Sequence, residues 1–226
     1  WVHCDMQQFH WTTSLYKNIA EEEQVYNKYN LIATVSQTSQ TSFQKEFENI
    51  TVPVRTIYNP INNENIAKLS QQATDIPTKT GECIRILSTG RLTKVKAFDR
   101  LLRIVEKLVK EQHSVELWIL GDGEERTNIE KYISEHKLSS VVTIWGFKNN
   151  PYAYMANCDL FVCSSLSEGY STAVTEALIL GIPVVTTDCS GMHELLGNGK
   201  YGVITENNEE ALYSGIKELI ESPAKL

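Results

Sequence analysis

The chain of 226 residues has few cysteines and no pairing pattern among them. Its 5 cysteines are widely scattered, and none belongs to a C-x-x-C motif. They are Cys4, Cys83, Cys158, Cys163 and Cys189. A structural zinc site and a disulfide framework are therefore not expected, and a reducing compartment is the default. We accordingly expect a cytoplasmic protein.

Long apolar runs and a surplus of positive charge are also missing. No apolar stretch approaches the ~18 residues that span a bilayer, and the first residues lack the charged and apolar regions of a signal peptide. Acidic residues outnumber basic ones by 28 to 21, which gives a net charge of −7. This balance disfavours a nucleic-acid-binding protein, which normally carries a basic surplus. A local basic pocket for phosphate is compatible with it.

Several nucleotide and catalytic motifs are absent as well. The chain has neither the G-x-S-x-G motif of hydrolases nor the G-x-x-x-x-G-K-[ST] loop that cradles phosphates. Gly121-Asp-Gly123 begins like a dinucleotide fingerprint, but Arg126 stands where its third glycine would be, so NAD binding is not expected. His10, His113, His136 and His193 show no metal-ligand spacing.

What the chain does contain, from Cys83 onward, is a regular alternation of strands and amphipathic helices. Such alternation predicts an α/β fold with a doubly wound parallel sheet. The predicted strands are Ile84–Ser88, Val115–Leu120, Val141–Trp145, Leu160–Cys163, Pro183–Thr186 and a short one near Val203. The predicted helices are Ala97–Glu111, Glu124–His136, Tyr152–Ala156, Thr172–Leu180 and Asn208–Glu221.

The region before Cys83 is more irregular. Trp1–His3 reads as the end of a buried strand, and Leu31–Ser36 and Val54–Tyr58 read as further strands. Helices are predicted at Thr13–Asn30 and at Gln37–Phe47, the second capped by Ser or Thr. The polar passage from residue 61 to residue 82 predicts a linker.

The most informative motif lies at residues 167–184. Glu168 and Glu176, separated by seven residues, follow a predicted apolar strand. The first carboxylate is therefore expected on a strand-to-helix loop, and the second inside the helix that follows. Between them, the amides of Tyr170 to Ala173 would form the helix N-terminus, where proteins commonly bind anions. This arrangement suits a ligand with hydroxyl groups at both ends and phosphate in the middle, such as a nucleotide-sugar.

This segment resembles the E-x7-E signature of retaining glycosyltransferases of the GT-B fold, the group 1 or family 4 type, which has two facing Rossmann-like domains. Further segments match that family in order and extend the resemblance from Cys83 to about Thr205. They are Ser88–Lys96, Ile119–Arg126, Trp145–Pro151 and Gly181–Asp188. One departure is Ala97, where the family commonly has glycine, so the loop shape is expected to differ there.

The resemblance implies a GT-B-type, Rossmann-like fold whose N-terminal domain is only partly present. Residues 1–60 would be a remnant of the acceptor-side domain, 61–82 the linker, and 83–226 the nucleotide-sugar (donor) domain. We expect that about a hundred residues of the acceptor-side domain, and the helix with which the family usually ends, are lacking.

The resemblance also implies roles for single residues. Arg91 and Lys96 would stabilise the leaving diphosphate, and Glu168 would accept hydrogen bonds from the donor sugar. These three are the expected catalytic residues. The further donor-binding residues would be Gly90, Gly169, Tyr170, Ser171, Thr172 and Glu176, the last contacting the ribose. Further candidates for contact with the donor are His3, Gly121, Phe147 and Lys148.

Each of several residues also has a purely structural alternative to its proposed role. Arg91 and Lys96 read in isolation are surface cations, and Glu168 is an acidic residue of the kind favoured near a helix N-terminus. Ser171 or Thr172 could act simply as helix N-caps. Phe147 could simply end a strand, and a lone histidine such as His3 is more often structural.

The expected function is transfer of a sugar from a nucleotide-diphosphate sugar, with retention, to a sugar or lipid-linked acceptor in polysaccharide or glycoconjugate biosynthesis. No metal or other cofactor is expected, because protein cations would neutralise the diphosphate. Two alternatives stay open: a nucleotide-sugar-binding module without turnover, and a GT-B-fold nucleotide-sugar epimerase. Peripheral association of a full-length form with the inner face of the membrane is also left open.

Overall fold

The computed structural model describes residues 1–7, 10–72, 76–79 and 81–222. Two parallel sheets organise these residues, one of two strands and one of six. The predicted linker and donor domain include residues 73–75, 80 and 223–226, which lie outside the described residues.

The small sheet belongs to the N-terminal part, residues 1–60. Strand β1 (Ile32–Thr34) pairs in parallel with β2 (Val54–Thr56), and Val2 makes a single bridge to Thr34. A 3-10 turn at Trp11–Ser14 precedes helices α1 (Ile19–Tyr26) and α2 (Gln37–Glu46). The core of this part consists of Val2, Met6, Ile32, Phe43 and Phe47.

Several helices and strands predicted for this part are longer than those in the structure. The predicted helix Thr13–Asn30 begins as α-helix only at Ile19, because the Asn18 side chain caps it by accepting from the Glu21 amide. The predicted strand Trp1–His3 reduces to the one bridge at Val2. The cap of α2 was predicted correctly: it is Ser36, which accepts a hydrogen bond from the Ser39 amide.

A helix also forms inside the predicted linker. Helix α3 (Asn63–Ser70) is capped by Asn62, buries Ile66 and lies against the large sheet's domain, where the Asn150 side chain donates to the Leu69 carbonyl at 2.9 Å. Its polar composition concealed it, because Ile66 is its one fully buried side chain.

The large sheet has the strand order β5-β4-β3-β6-β7-β8, and every pair in it is parallel. Its strands are β3 (Ile84–Thr89), β4 (Val115–Leu120), β5 (Val142–Gly146), β6 (Leu160–Cys163), β7 (Val184–Thr187) and β8 (Val203–Thr205). The predicted strands are therefore confirmed to within a residue or two at their ends. Because both faces are covered by helices, the strands read as continuous apolar runs.

Helices cover the two faces of this sheet as separate layers. One layer consists of α4 (Phe98–Lys110), α5 (Arg126–Glu135) and α9 (Glu209–Glu221), and the other includes α6 (Tyr152–Met155), α7 (Thr172–Ile179) and α8 (Met192–Leu195). Each fully buried Leu or Ile in these layers contributes roughly 1.5–3 kcal/mol. Helix α8 was not predicted, because Met192 is its one fully buried residue and a single buried position shows no helical period.

The strand order fixes where a ligand can bind. From β3 the chain winds outward through β4 to β5, and then returns to place β6 on the other side of β3. The direction of winding therefore reverses between β3 and β6. In open α/β sheets, ligands bind in the crevice at the carboxyl ends of the strands at such a switch point.

Candidate functional site

The loops that follow β3 and β6 face each other across this crevice. They enclose a cleft of about 310 Å³. Its lining consists of Thr89, Gly90, Arg91, Lys96, Glu168, Tyr170, Ser171, Thr172, Ala173 and Glu176. The structure thus brings together all three expected catalytic residues and, apart from Gly169, every expected donor-binding residue. We call this space the first cleft.

An ion pair closes one side of the first cleft. The Lys96 ammonium lies 2.6 Å from Glu168 Oε1, and the Ser165 hydroxyl donates to the same oxygen at 2.6 Å. Burial alone lowers the pKa of Lys96, but the attraction of Glu168 and its hydrogen bond outweigh burial, so the net pKa is raised. Lys96 is therefore held as a cation at the lining of the first cleft.

Arg91 contrasts with Lys96. It is exposed, and within the described residues its guanidinium has no hydrogen-bond or ion-pair partner. The first cleft is thus lined by two cations. Arg91 can contact a phosphate without first breaking an ion pair, whereas Lys96 would have to leave Glu168.

The turn between Lys96 and α4 carries backbone strain. Ala97 adopts the left-handed conformation, with φ of 48° and ψ of 45°, and α4 begins at the next residue. Alanine in this region typically costs about 1–2 kcal/mol relative to a right-handed conformation. Ala97 therefore adopts a backbone conformation that glycine would adopt more easily.

The N-terminus of α7 points into the first cleft. Ser171 is the N-cap, and its hydroxyl accepts from the Val174 amide at 3.4 Å. Thr172 is the first helical residue. The capping role expected as the bland alternative for Ser171 is thus present, and it leaves the first-turn amides available to an anion.

Glu176 lies one turn farther along α7. The Tyr152 hydroxyl donates to its carboxylate at 3.1 Å. Burial raises the pKa of Glu176 above its ordinary value, and the hydrogen bond from Tyr152 offsets part of this effect. The carboxylate is thus a partly desolvated acceptor that lines the first cleft.

A second cleft, of about 500 Å³, adjoins the first and shares Thr89, Gly90 and Arg91 with it. Its other lining residues are Leu120, Gly121, Asp122, Phe147, Lys148 and Pro151. Phe147 is 75% exposed, so it does not simply end a strand in the core. Lys148 lies over the rings of Trp145 and Tyr154, at 5.3 and 5.2 Å from their centroids.

Two glycines let the loops meet between the clefts. A Cβ added at Gly121, where φ is 135°, would lie 1.9 Å from the Gly90 carbonyl oxygen. Any side chain at Gly121 would therefore push the β3 loop, and with it Arg91, out of place.

His3 lies beside the site but does not line either cleft. Its ring stacks on Trp1 with centroids 5.8 Å apart, and its side chain is exposed. Its carbonyl oxygen is 1.9 Å from the position that a Cβ of Gly169 would take. The loop at Gly169 therefore packs directly against the backbone of the N-terminal part.

Sequence reasoning missed Ser165 and Tyr152, which hold the two carboxylates of the motif. Ser165 donates to Glu168 from the same loop, three residues away. Tyr152 donates to Glu176 from α6, 24 residues away, and no spacing rule connects these two positions. Across the described residues, no group of three or more His, Cys, Asp or Glu is placed to hold a metal ion. Among those same residues, no helix is long and apolar enough to cross a membrane.

The fold and the switch-point site define an α/β protein of the GT-B Rossmann-like class. Consistent with this, the chain belongs to the glycosyl transferases group 1 family, which matches residues 71–226. This match covers the whole of the first and second clefts.

Named relatives support the family. A Campylobacter jejuni N-acetylgalactosamine-N,N'-diacetylbacillosaminyl-diphospho-undecaprenol 4-alpha-N-acetylgalactosaminyltransferase is 33% identical over 199 residues, covering 87% of this chain and 52% of the relative. A Rhizobium meliloti lipopolysaccharide core biosynthesis glycosyltransferase is 30% identical, covering 60% and 39%. The chain thus spans about half the length of the first of these relatives.

Solved structures support the fold. Anabaena HepE in complex with UDP aligns with a TM-score of 0.78 and 24% identity, covering 99% of this chain and 62% of HepE. S. aureus TarM aligns with a TM-score of 0.79 and 22% identity, covering 99% and 43%. At this level of identity, the likeness shows the fold alone.

Proposed function

We propose that this chain is the donor-binding part of a retaining glycosyltransferase. The observation that carries the proposal is the first cleft, where Arg91, Lys96, Glu168 and Glu176 surround a helix N-terminus at the switch point of the sheet. Two cations, the amides of a helix N-terminus and two carboxylates in one cleft supply partners for the diphosphate, the sugar hydroxyls and the ribose hydroxyls of such a donor. Family membership and the transferase relatives support the same assignment.

The donor would lie across both clefts. Arg91 and Lys96 would contact the diphosphate, Glu168 the sugar hydroxyls and Glu176 the ribose hydroxyls. The nucleobase would lie in the second cleft near Phe147. Because UDP is bound in the HepE structure, a UDP-sugar is the first donor to test.

The chemistry follows from these positions. The bond between the sugar C1 and the leaving phosphate oxygen breaks, and the acceptor oxygen bonds to C1 on the same face. The acceptor proton passes to the leaving phosphate oxygen. Negative charge grows on the diphosphate during this step, so fixed cations that bind it more tightly in the transition state accelerate it.

The acceptor and the location are part of the proposal. The C. jejuni relative is named for a diphospho-undecaprenol acceptor, so a lipid-linked sugar is the first acceptor to test. The five cysteines are scattered along the chain and form no C-x-x-C pair, which fits a reducing compartment. We therefore propose action in the cytoplasm, at the inner face of the membrane where such an acceptor is accessible.

Two measurements test this function. The first is mass spectrometry of the products formed from UDP-, GDP- and ADP-sugars, using this chain and a longer form of the length of its relatives. The second is NMR of the product's anomeric configuration. Transfer with retention supports the proposal, and an inverted product contradicts it. Nucleotide binding without transfer by the longer form would favour the binding module, whereas the epimerase alternative finds no support among the relatives.

A further inference from the structure

The loop that carries Glu168 touches the N-terminal part of the chain at Gly169 and Tyr170. We call residues 168–170 the donor loop. Beside this contact, Glu194 of α8 binds the N-terminal part through its carboxylate. Its Oε2 accepts from the Gln37 amide at 3.0 Å, and its Oε1 accepts from the Tyr58 hydroxyl.

Both partners of Glu194 belong to the N-terminal part. Gln37 is the first residue of α2, so its amide is one of the unpaired donors at the positive end of a helix. The Tyr58 hydroxyl bonds the carboxylate strongly enough that, with burial adding to the effect, the pKa of Tyr58 rises to about 12. One carboxylate therefore joins two separate elements of the N-terminal part to the donor domain. We call Glu194, Tyr58 and the Gln37 amide the clasp.

The donor loop lies directly beneath the clasp. The Ser36 hydroxyl donates to the Gly169 carbonyl at 3.1 Å, and the rings of Tyr58 and Tyr170 are 5.4 Å apart. On its other side, a Cβ at Gly191 would lie 2.6 Å from the same Gly169 carbonyl oxygen. The loop is thus confined between the N-terminal part and the start of α8, the helix that carries Glu194.

We propose that Glu194 is a positioning residue, which fixes the N-terminal part against the donor loop and so holds Glu168 and the α7 amides in their donor-binding arrangement. The inference rests on the proposed function for its ligand, but not for its geometry. Glu194 lines neither cleft and acts through the loop, not through contact with the donor.

The loss of the clasp should have a moderate effect on ligand affinity. Tyr58 is 44% exposed, so water competes for the clasp. Coupling carried by such a contact typically changes a ligand's affinity by about 2- to 30-fold. Losing the clasp should therefore loosen the donor loop and weaken binding without unfolding the protein.

The test compares Glu194→Ala, Glu194→Gln and Tyr58→Phe with two control variants of exposed residues outside the clasp, Glu135→Ala and Tyr29→Phe. Hydrogen–deuterium exchange of the peptide spanning the donor loop is measured without ligand, and UDP affinity is measured by calorimetry. Circular dichroism and thermal unfolding establish that each variant is folded.

We expect Glu194→Ala to speed exchange in the donor loop at least about 3-fold and to weaken UDP binding by about 2- to 30-fold. Glu194→Gln should keep the exchange rate of the donor loop and the UDP affinity close to those of the parent chain, because the glutamine amide oxygen still accepts from the Gln37 amide. Tyr58→Phe should fall between them, and the controls should match the parent chain.

The inference is overturned if exchange in the donor loop is unchanged in a folded Glu194→Ala variant, or if Glu135→Ala has the same effect. If the parent chain binds no nucleotide, the proposed function is contradicted, and the exchange measurement still decides the role of Glu194 because it needs no ligand.

Discussion

The Lys96–Glu168 ion pair occupies two groups that the proposed donor would need. Lys96 Nζ and Glu168 Oε1 lie 2.6 Å apart, and the Glu168 side chain is only 11% exposed. A bound diphosphate would compete with Glu168 for Lys96, while the donor sugar would compete with Lys96 for Glu168. Free nucleoside diphosphate and intact donor should therefore respond differently to the loss of this carboxylate.

We predict that Glu168→Gln leaves UDP affinity unchanged or raises it a few-fold, because Lys96 no longer has to leave a carboxylate. The same variant should weaken binding of an intact UDP-sugar by about 10-fold or more relative to UDP, since a charged hydrogen bond is worth ~1.5–3 kcal/mol. Calorimetry with both ligands measures the ratio. Equal losses for the two ligands would contradict the sugar-binding role of Glu168.

Glu176 should make nucleotide affinity depend on pH. Burial raises its pKa, so it takes up a proton at a higher pH than an ordinary glutamate does. Since only the ionised form accepts hydrogen bonds with both oxygens, affinity should fall on acidification, beginning above the usual glutamate range.

In Glu176→Gln this pH dependence should be absent, and Glu176→Ala should weaken UDP binding more than Glu176→Gln does. Comparing the variants with the parent chain at each pH removes the titration of the phosphate itself. If all three chains bind UDP equally, Glu176 does not contact the ribose.

At the scale of elements, α4 and α5 are joined by one carboxylate. Glu106 of α4 accepts from the Tyr132 hydroxyl at 2.6 Å and pairs with His136 at 3.0 Å and Lys110 at 2.6 Å. Hydrogen bonds from Lys110, Tyr132 and His136 lower the pKa of Glu106 from 4.5 to about 2. Because the folded-state pKa is depressed, the stabilisation is present above the unfolded value and is lost as pH falls towards about 2.

We predict that Glu106→Gln lowers the free energy of unfolding at pH 7 by about 0.2–1 kcal/mol, the range for ion pairs that are screened by solvent. The difference from the parent chain should shrink as pH falls below about 4.5, where the unfolded carboxylate begins to protonate. Urea unfolding at pH 7, 4 and 3 measures this difference in the free energy of unfolding. Glu135→Gln, which removes a single pair at 3.8 Å, serves as the control. A difference independent of pH would contradict the assignment.

Some helices could be predicted from the sequence and others could not. Helix α4 was predictable because Phe98, Leu101, Leu102, Val105 and Leu108 repeat on one face, and all are buried. Helices α3 and α8 were missed because each has one fully buried residue, Ile66 or Met192, and so no period to detect. Burial of a short helix is decided by its tertiary surroundings, which a local pattern does not contain.

The candidate site shows the same division. The motif residues were predicted as a group, because parallel strands bring the loops after β3 and β6 to one edge of the sheet. Glu194 and Tyr58 were not predicted, since their contact spans 136 residues and depends on how the N-terminal part docks.

At the scale of the whole molecule, the proposed chemistry needs the acceptor as well as the donor. In a form with the full length of the relatives, Lys96→Ala and Arg91→Ala should each lower kcat about 100-fold or more, with a smaller loss of donor affinity. The reason is that charge on the diphosphate is greatest in the transition state. Steady-state kinetics with donor-binding measurements separate the two effects. If KM rises while kcat is unchanged, both residues bind the ground state and the transition state equally, and their proposed catalytic role is contradicted.

The central claim is that protein cations at the switch point bind a nucleoside diphosphate, and calorimetry of this chain with UDP, GDP and ADP in EDTA tests it most directly. We predict that at least one nucleotide binds without added metal. We further predict that Lys96→Ala and Arg91→Ala each weaken binding, while Lys131→Ala, on the exposed face of α5, does not. Absence of binding by all three nucleotides, or equal binding by all the variants, would contradict the account.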